Sequence, residues 1–132
     1  MKKVFFLLSA LIFCAFGSEN FLTDYKLALT KAKSEHKLVA LTIVQTHCPW
    51  CYKFENETLK DKTISQIITQ NFVHVVLNRD TQELPSGFKA RLVPTTFFLN
   101  ANGDKIADPA IGFFDNKDFD DFLEEAIKKA KK

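Results

Sequence analysis

The chain has 132 residues, of which 46% are hydrophobic, and it carries 18 basic residues against 16 acidic ones. This length is sufficient for one domain with a hydrophobic core, and neither an internal repeat nor a linker rich in Pro, Gly or Ser divides it. The nearly balanced charge contains no basic stripe with interleaved aromatic residues, so we expect no nucleic-acid partner.

The first residues of the chain have the composition of a secretory signal peptide. Lys2 and Lys3 precede an apolar run over residues 4–16, and small residues flank position 16 as they do before a cleavage site. The run is shorter than the roughly 20 apolar residues that span a bilayer, which argues against an uncleaved membrane anchor. We therefore predict that residues 1–17 are a signal peptide, that cleavage follows Gly17, and that the protein is periplasmic.

Removal of the signal peptide would leave one domain over residues 18–132. Since the signal contains two lysines and no acidic residue, this domain has 16 basic and 16 acidic residues. Its only cysteines are Cys48 and Cys51. A structural disulfide between them would close a loop too short to stabilise the fold much, and a domain of this size does not need such help. The pair is therefore predicted to carry out chemistry.

The first half of the domain predicts two strands with helices before and between them. Residues 23–37 carry an apolar stripe with helical spacing. Residues 38–44, LVALTIV, form a continuous apolar run that is typical of a strand buried on both faces. The CxxC and a helix-compatible polar segment follow. Residues 62–72 then predict a short amphipathic helix, and residues 72–78, FVHVVLN, a second strand.

The second half predicts a β-hairpin. The segments VPTTFFLN, residues 93–100, and KIADPAIG, residues 105–112, read as strands, with a turn at Asn102-Gly103 between them. Pro109 lies inside the second strand, which places that strand at an edge of the sheet or at a bulge.

The last predicted element is a helix with an apolar stripe from Phe119 to Ala130. Acidic residues crowd its first half and lysines its end, the order that a helix dipole favours, so the lysines need no membrane or nucleic-acid partner. A parallel strand pair followed by an antiparallel hairpin predicts an α/β fold with a mixed central β-sheet and helices on both faces.

The position of the CxxC after a buried strand predicts redox chemistry. At a helix start, backbone N–H groups and the helix dipole stabilise a thiolate, so Cys48 is the expected nucleophile. Cys51 follows one turn later and is placed to resolve a mixed disulfide. Pro49 suits the first turn, where its missing N–H costs nothing. Trp50, between the cysteines, is expected to be exposed and to contact a protein partner.

The motif CPWC and the downstream run VPTTFFLNANGDKI together resemble the thioredoxin superfamily over essentially the whole of residues 18–132. Within it, CPWCYKFENETL is similar to periplasmic thioredoxin-like proteins and to the C-terminal domain of the transmembrane reductase DsbD. The resemblance implies a thioredoxin fold and a thiol–disulfide oxidoreductase without a further cofactor. It also implies that Pro94 is a cis-proline against the CxxC and that Val93 lines the substrate groove. Glu55 becomes a candidate for tuning proton transfer, the alternative being a solvated helix residue.

Two residues depart from the superfamily pattern. Thr42 stands where thioredoxins usually carry a buried aspartate, and a hydroxyl cannot act as a carboxylate base at neutral pH. His47 replaces the usual tryptophan before the first cysteine. Its imidazolium would favour the thiolate, or it is an exposed histidine without a catalytic role. We expect His36 and His74 to be structural.

Three functions remain open at this point. A reductase is favoured, because the small domain and the DsbD-like run resemble reducing proteins. A membrane redox partner would then recycle the protein, and its clients would be periplasmic proteins with oxidised cysteines, including apocytochromes. An oxidase or isomerase is the first alternative. The second is a copper- or zinc-binding module using His47, Cys48 and Cys51, although a structural zinc site needs four ligands.

Overall fold

The computed structural model of the protein describes residues 21–132. The predicted signal peptide, residues 1–17, lies outside the described residues. Within the part of the chain that is described, none of the helices is both long enough and apolar enough to cross a membrane.

The elements follow one another in the predicted order, with strand boundaries in the first half as expected. They are α1 (Tyr25–Glu35), β1 (Leu38–Val44), α2 (Pro49–Lys53), a π-helical turn that continues α2 (Phe54–Thr58), α3 (Lys62–Asn71), β2 (Phe72–Asn78), β3 (Thr95–Leu99), β4 (Ala110–Ile111) and α4 (Asn116–Ala130). Asp24, Asp61 and Asp115 begin α1, α3 and α4, because each carboxylate accepts backbone N–H groups of the first turn.

The four strands form one mixed sheet in the order β2-β1-β3-β4. β1 pairs in parallel with β2, from Leu38 opposite Phe72 to Val44 opposite Asn78. β1 is antiparallel to β3, and β3 to β4. The predicted α/β fold, with a parallel pair followed by an antiparallel hairpin, is therefore confirmed. This topology makes β1 an inner strand, hydrogen-bonded on both sides.

Helices cover both faces of the sheet, which explains the uninterrupted apolar sequence of β1. Side chains alternate between the faces along a strand. Leu41 and its odd-numbered neighbours in β1 pack with Ala28 and Ala32 of α1. Ala40 points to the other face, where the core includes Phe98 and side chains of the π-helical turn, α3 and α4. A strand with one polar face could not pack against the apolar cores on both sides of the sheet.

The C-terminal hairpin is shorter than predicted. The expected strand over residues 105–112 reduces to a single bridge between Lys105 and Leu99 and to the two-residue β4. Pro109 explains the interruption, since proline has no N–H to donate to the ladder. β4 lies at the edge of the sheet, as Pro109 predicted.

Gly103 fits the turn of this hairpin for two reasons. Its φ of +89° belongs to the left-handed region that side chains disfavour. A Cβ atom at this position would also lie 2.6 Å from the Tyr25 hydroxyl oxygen of α1. The turn therefore packs closely against the first helix.

Candidate active site

The CxxC lies at the point where β1 leaves the sheet and α2 begins. Cys48 is the N-cap of α2, and its Sγ accepts a hydrogen bond from the backbone N–H of Cys51 at 3.1 Å. Pro49 occupies the first turn, as predicted. The two cysteines form a disulfide. The fold therefore brings the CxxC to a helix start, where backbone N–H groups face the first sulfur.

The two sulfurs differ in their access to solvent. Cys51 is only 4% exposed and packs with Val44, the last residue of β1, and with Val76 of β2. Cys48 is half-buried. A partner protein can therefore reach Cys48 more easily than Cys51.

The peptide bond between Val93 and Pro94 is cis, as the family resemblance implied. Val93 packs against the apolar cluster that contains Cys51, and Cys48 contacts the same cluster. The Pro94 carbonyl accepts a hydrogen bond from the Gly112 N–H at 2.7 Å, which attaches the loop to the end of β4. The loop that carries Val93 thus lies beside the disulfide. The role of Val93 in binding substrate stays a prediction.

Trp50 is exposed, as expected, with 56% of its surface accessible. Its ring centroid lies 5.5 Å from that of Phe113. The Lys53 ammonium stands 5.4 Å from the Trp50 centroid and 4.9 Å from the Phe113 centroid, so a cation–π contact holds the two rings. Contact between Trp50 and a partner stays a prediction.

A cavity of about 370 Å³ lies beside the disulfide and brings Glu55 and His47 together with the cysteines. Glu55 belongs to the π-helical turn that continues α2. His47 is exposed and has a left-handed φ of 54°. The structure therefore places Glu55 near the cysteines, and its part in proton transfer stays a prediction.

The metal-binding alternative finds no support in this geometry. Among residues 21–132, no group of three or more His, Cys, Asp or Glu side chains is arranged to hold a metal ion. His47, Cys48 and Cys51 line one cavity without forming such a ligand set.

The turn after β2 supports the site, a role that sequence reasoning missed. Asp80 accepts the Thr46 N–H at 3.0 Å in the loop before Cys48. The Arg79 guanidinium donates to the Gln45 side chain of that loop, and at 2.7 Å to the Ala90 carbonyl in the loop before Pro94. One side chain thus joins both loops that flank the disulfide. The sequence feature that could have indicated this role is the position of Arg79 directly after β2, a strand of the parallel pair.

A buried row of polar side chains crosses the sheet on the same face as Cys51. The Thr42 hydroxyl lies 3.0 Å from His74 Nε2 and 2.9 Å from the Thr96 hydroxyl. Burial lowers the pKa of His74 from 6.5 to about 4, so this imidazole is neutral at neutral pH. The structure gives His74 a buried hydrogen-bond partner, and its structural role stays a prediction. The hydrogen bond between Thr42 and His74 was not predicted, because it joins residues 32 positions apart in sequence.

Comparison with known proteins settles the family. The model of the thioredoxin-like domain family matches residues 25–127, which is well over half of the chain. The chain belongs to this family. Its fold is that of thiol–disulfide oxidoreductases, as the resemblance implied.

Solved structures agree with this assignment at the level of the fold. A thioredoxin from Thermus thermophilus superposes with a TM-score of 0.69 at 22% identity, covering 84% of this chain and 90% of that one. The oxidised C-terminal domain of DsbD from Neisseria meningitidis gives a TM-score of 0.63 at 20% identity, covering 80% and 98%.

Relatives found by sequence are much longer proteins. Spermatogenesis-associated protein 20 of Rattus norvegicus is 34% identical over 53 residues, which are 40% of this chain and 7% of that protein. The chain therefore matches one short segment of this relative.

The buried imidazole predicts a loss of stability in acid. The pKa of His74 is about 4 in the folded protein and about 6.5 when unfolded, so the unfolded chain takes up this proton first. The contribution of His74 to the free energy of unfolding is fully present above pH 6.5. It decreases by on the order of 3 kcal/mol as the pH falls towards 4. Urea unfolding of the oxidised protein across this range measures the effect.

Two variants isolate the contribution of His74. The His74→Gln variant should lose this part of the pH dependence, whatever its stability at neutral pH. His36→Asn is the matched control, since His36 is exposed and asparagine tolerates its left-handed φ of 54°. An unchanged pH slope in His74→Gln would contradict the prediction.

Proposed function

We propose that the protein exchanges disulfides with other proteins, with Cys48 as nucleophile and Cys51 as resolving thiol. The observation that carries the proposal is the asymmetry of the pair. Cys48 is accessible and its sulfur accepts the Cys51 N–H, whereas Cys51 is buried behind it. The cis-proline loop beside the pair offers a surface for the incoming chain.

The reaction proceeds in two exchange steps. The Cys48 thiolate attacks one sulfur of a client disulfide, which forms a mixed disulfide and expels the other client sulfur as a thiolate. The Cys51 thiolate then attacks the Cys48 sulfur and releases the second client sulfur. Two electrons pass to the client, whose sulfurs take up two protons, and the Cys48–Cys51 disulfide remains.

Each step needs a thiolate on this chain. The Cys51 N–H and the start of α2 favour the thiolate of Cys48. Deprotonation of the buried Cys51 needs a proton acceptor, and we assign this part to Glu55, which lines the same cavity. Thr42, which stands where the family usually has a carboxylate, is bonded to the neutral His74 and cannot take this role.

The direction that we propose is reduction of clients. Between β2 and β3 the described chain contains no helix, so the long helical insertion of DsbA-type oxidases is missing from this connection. A membrane thiol–disulfide protein would return two electrons to the disulfide after each cycle. Oxidised cysteines of periplasmic proteins, including apocytochromes, are the clients. Oxidation or isomerisation is the second candidate, because a valine also precedes the cis-proline in the DsbA type.

We propose that the protein works in the periplasm after export. The lysines and apolar run of residues 1–17 support this location. A periplasmic dithiol also requires the separate source of electrons named above, since that compartment is kept oxidising.

Replacing the cysteines one at a time separates their roles. Cys48→Ser should abolish exchange with a protein disulfide, because the accessible nucleophile is lost. Cys51→Ser should accumulate the mixed disulfide with the client, visible on a non-reducing gel and dissolved by dithiothreitol. If the mixed disulfide accumulated in Cys48→Ser and not in Cys51→Ser, Cys51 would be the nucleophile and Cys48 the resolving thiol.

The reduction potential tests the direction. For a reductase we expect a value near that of thioredoxin, roughly −270 mV, and far from the roughly −120 mV of DsbA. Equilibration of the protein with glutathione buffers, followed by thiol alkylation and mass spectrometry, gives the value. A potential near that of DsbA would favour the oxidase.

Export predicts a defined N-terminus. Expression of the full chain in a Gram-negative bacterium should yield a periplasmic protein that begins at Ser18, because cleavage follows Gly17. Mass spectrometry of the periplasmic fraction identifies this terminus. Replacing Gly17 with the bulkier leucine should slow processing. Intact protein in the membrane fraction would indicate an anchor instead.

A further inference from the structure

We propose that a groove beside the cis-proline loop binds an acidic, leucine-like segment of the client polypeptide next to its reactive cysteine. This inference rests on the proposed oxidoreductase function, to which it adds a class of client.

The groove is a cavity of about 520 Å³ between the loop before Pro94 and the edge strand β4. Its volume falls in the range of about 300–1,000 Å³ that is typical of ligand sites. Phe97 and Pro109 contribute apolar surface to its lining. Leu92 and Ile111 also line it, and they remain 63% and 54% exposed. Large apolar side chains grouped in solvent indicate a surface that another chain covers.

The charged residues that line the groove are both cations. Lys89 and Arg91 belong to its lining, and no carboxylate does. Within residues 21–132, neither side chain forms an ion pair or a hydrogen bond. A third cation, Lys105, has its ammonium 5.2 Å from the centroid of Phe97, but it already donates to the Gly87 carbonyl at 2.7 Å. Lys89 and Arg91 are therefore the cations available to pair with carboxylates of a bound peptide.

This positive charge is local, because the chain as a whole is almost balanced at 18 basic and 16 acidic residues. The acidic residue nearest to the groove in sequence is Asp108, which precedes Pro109. The pKa of Lys129 in α4 is raised first by its hydrogen bond to Glu125 and also by the charge of Asp108. The Asp108 carboxylate thus lies close enough to α4 to act on Lys129, and it does not belong to the lining of the groove.

The groove adjoins the cis-proline loop of the candidate active site. Leu92 adjoins Val93, which packs against the cluster that contains Cys51. Ile111 adjoins Gly112, whose N–H donates to the Pro94 carbonyl at 2.7 Å. An extended chain advances about 3.3 Å per residue. A client whose cysteine meets Cys48 would therefore place nearby residues of its extended chain in the groove. Carboxylates there would pair with Lys89 and Arg91, and an apolar side chain between them would enter the groove.

Binding can be tested without redox chemistry. Three cysteine-free peptides, each with one leucine flanked by two Asp, two Asn or two Lys residues, are titrated into the ¹⁵N-labelled oxidised protein. The Asp peptide should bind roughly fivefold more tightly than the Asn peptide and shift the amides of residues 89–92, with the Lys peptide weakest. High salt should reduce this difference. Equal affinity for all three peptides would overturn the proposal.

A double charge reversal identifies the cations that act. Lys89→Glu with Arg91→Glu should abolish the preference for the Asp peptide or reverse it. Lys62→Glu with Lys117→Glu is the matched control, because it changes the net charge equally at exposed first-turn positions of α3 and α4, where glutamate is favourable. Retained preference in the Lys89/Arg91 variant, or its loss in the control, would contradict the assignment.

A second measurement separates this inference from the function on which it rests. The same three sequences, each extended by a disulfide-bonded cysteine pair, serve as substrates of the reduced protein. Selective binding with selective exchange supports both claims. Exchange at equal rates for all three peptides overturns only the claim that the groove selects acidic clients. Failure to reduce any of them overturns the oxidoreductase proposal, and with it the claim that the bound segment is a client.

Discussion

The burial of β1 on both faces is the constraint on which the site depends. A shift of one residue in its register would exchange every side chain between the two cores. The strand therefore ends at a fixed point, where Val44 contacts Cys51 and Val76 of the neighbouring strand. The loop after it delivers Cys48 to the first turn of α2, and the turn after β2 secures that loop through Asp80. The position of the disulfide thus follows from the packing of an apolar strand.

A polar row inside this apolar layer changes what the site can do. Buried hydroxyls and imidazoles are tolerated when they are hydrogen-bonded to one another, as Thr42, His74 and Thr96 are. The row carries no charge at neutral pH, since burial keeps the pKa of His74 near 4. Where a buried aspartate would add a charge under the cysteines, this chain has a neutral network. The ionisable side chains beside the disulfide, Glu55 and His47, line the neighbouring cavity instead.

Features of the fold and the site were predictable when they depend on residues that are close together in sequence. β1 and β2 were predicted to the residue, because long apolar runs are local signals that both faces of a sheet must satisfy. The CxxC and its helix start were equally local. The cis-proline came only from the family resemblance, since an X-Pro bond has a low base rate of cis.

The remaining features depend on residues far apart in sequence. The bonds of Arg79 to two loops, and of Thr42 to His74, join segments whose approach the sequence pattern does not encode. The shortening of the last strand to β4 is an intermediate case, because Pro109 indicated an irregular edge without giving its length.

The contact of Trp50 with Lys53 and Phe113 makes the site optically observable. Trp50 is the sole tryptophan in the sequence and lies between the two cysteines. Its emission therefore comes from one place in the molecule and is sensitive both to the neighbouring disulfide and to removal of water from the ring. Fluorescence of the unlabelled protein can thus follow the oxidation state and the arrival of a partner in real time, without an introduced probe.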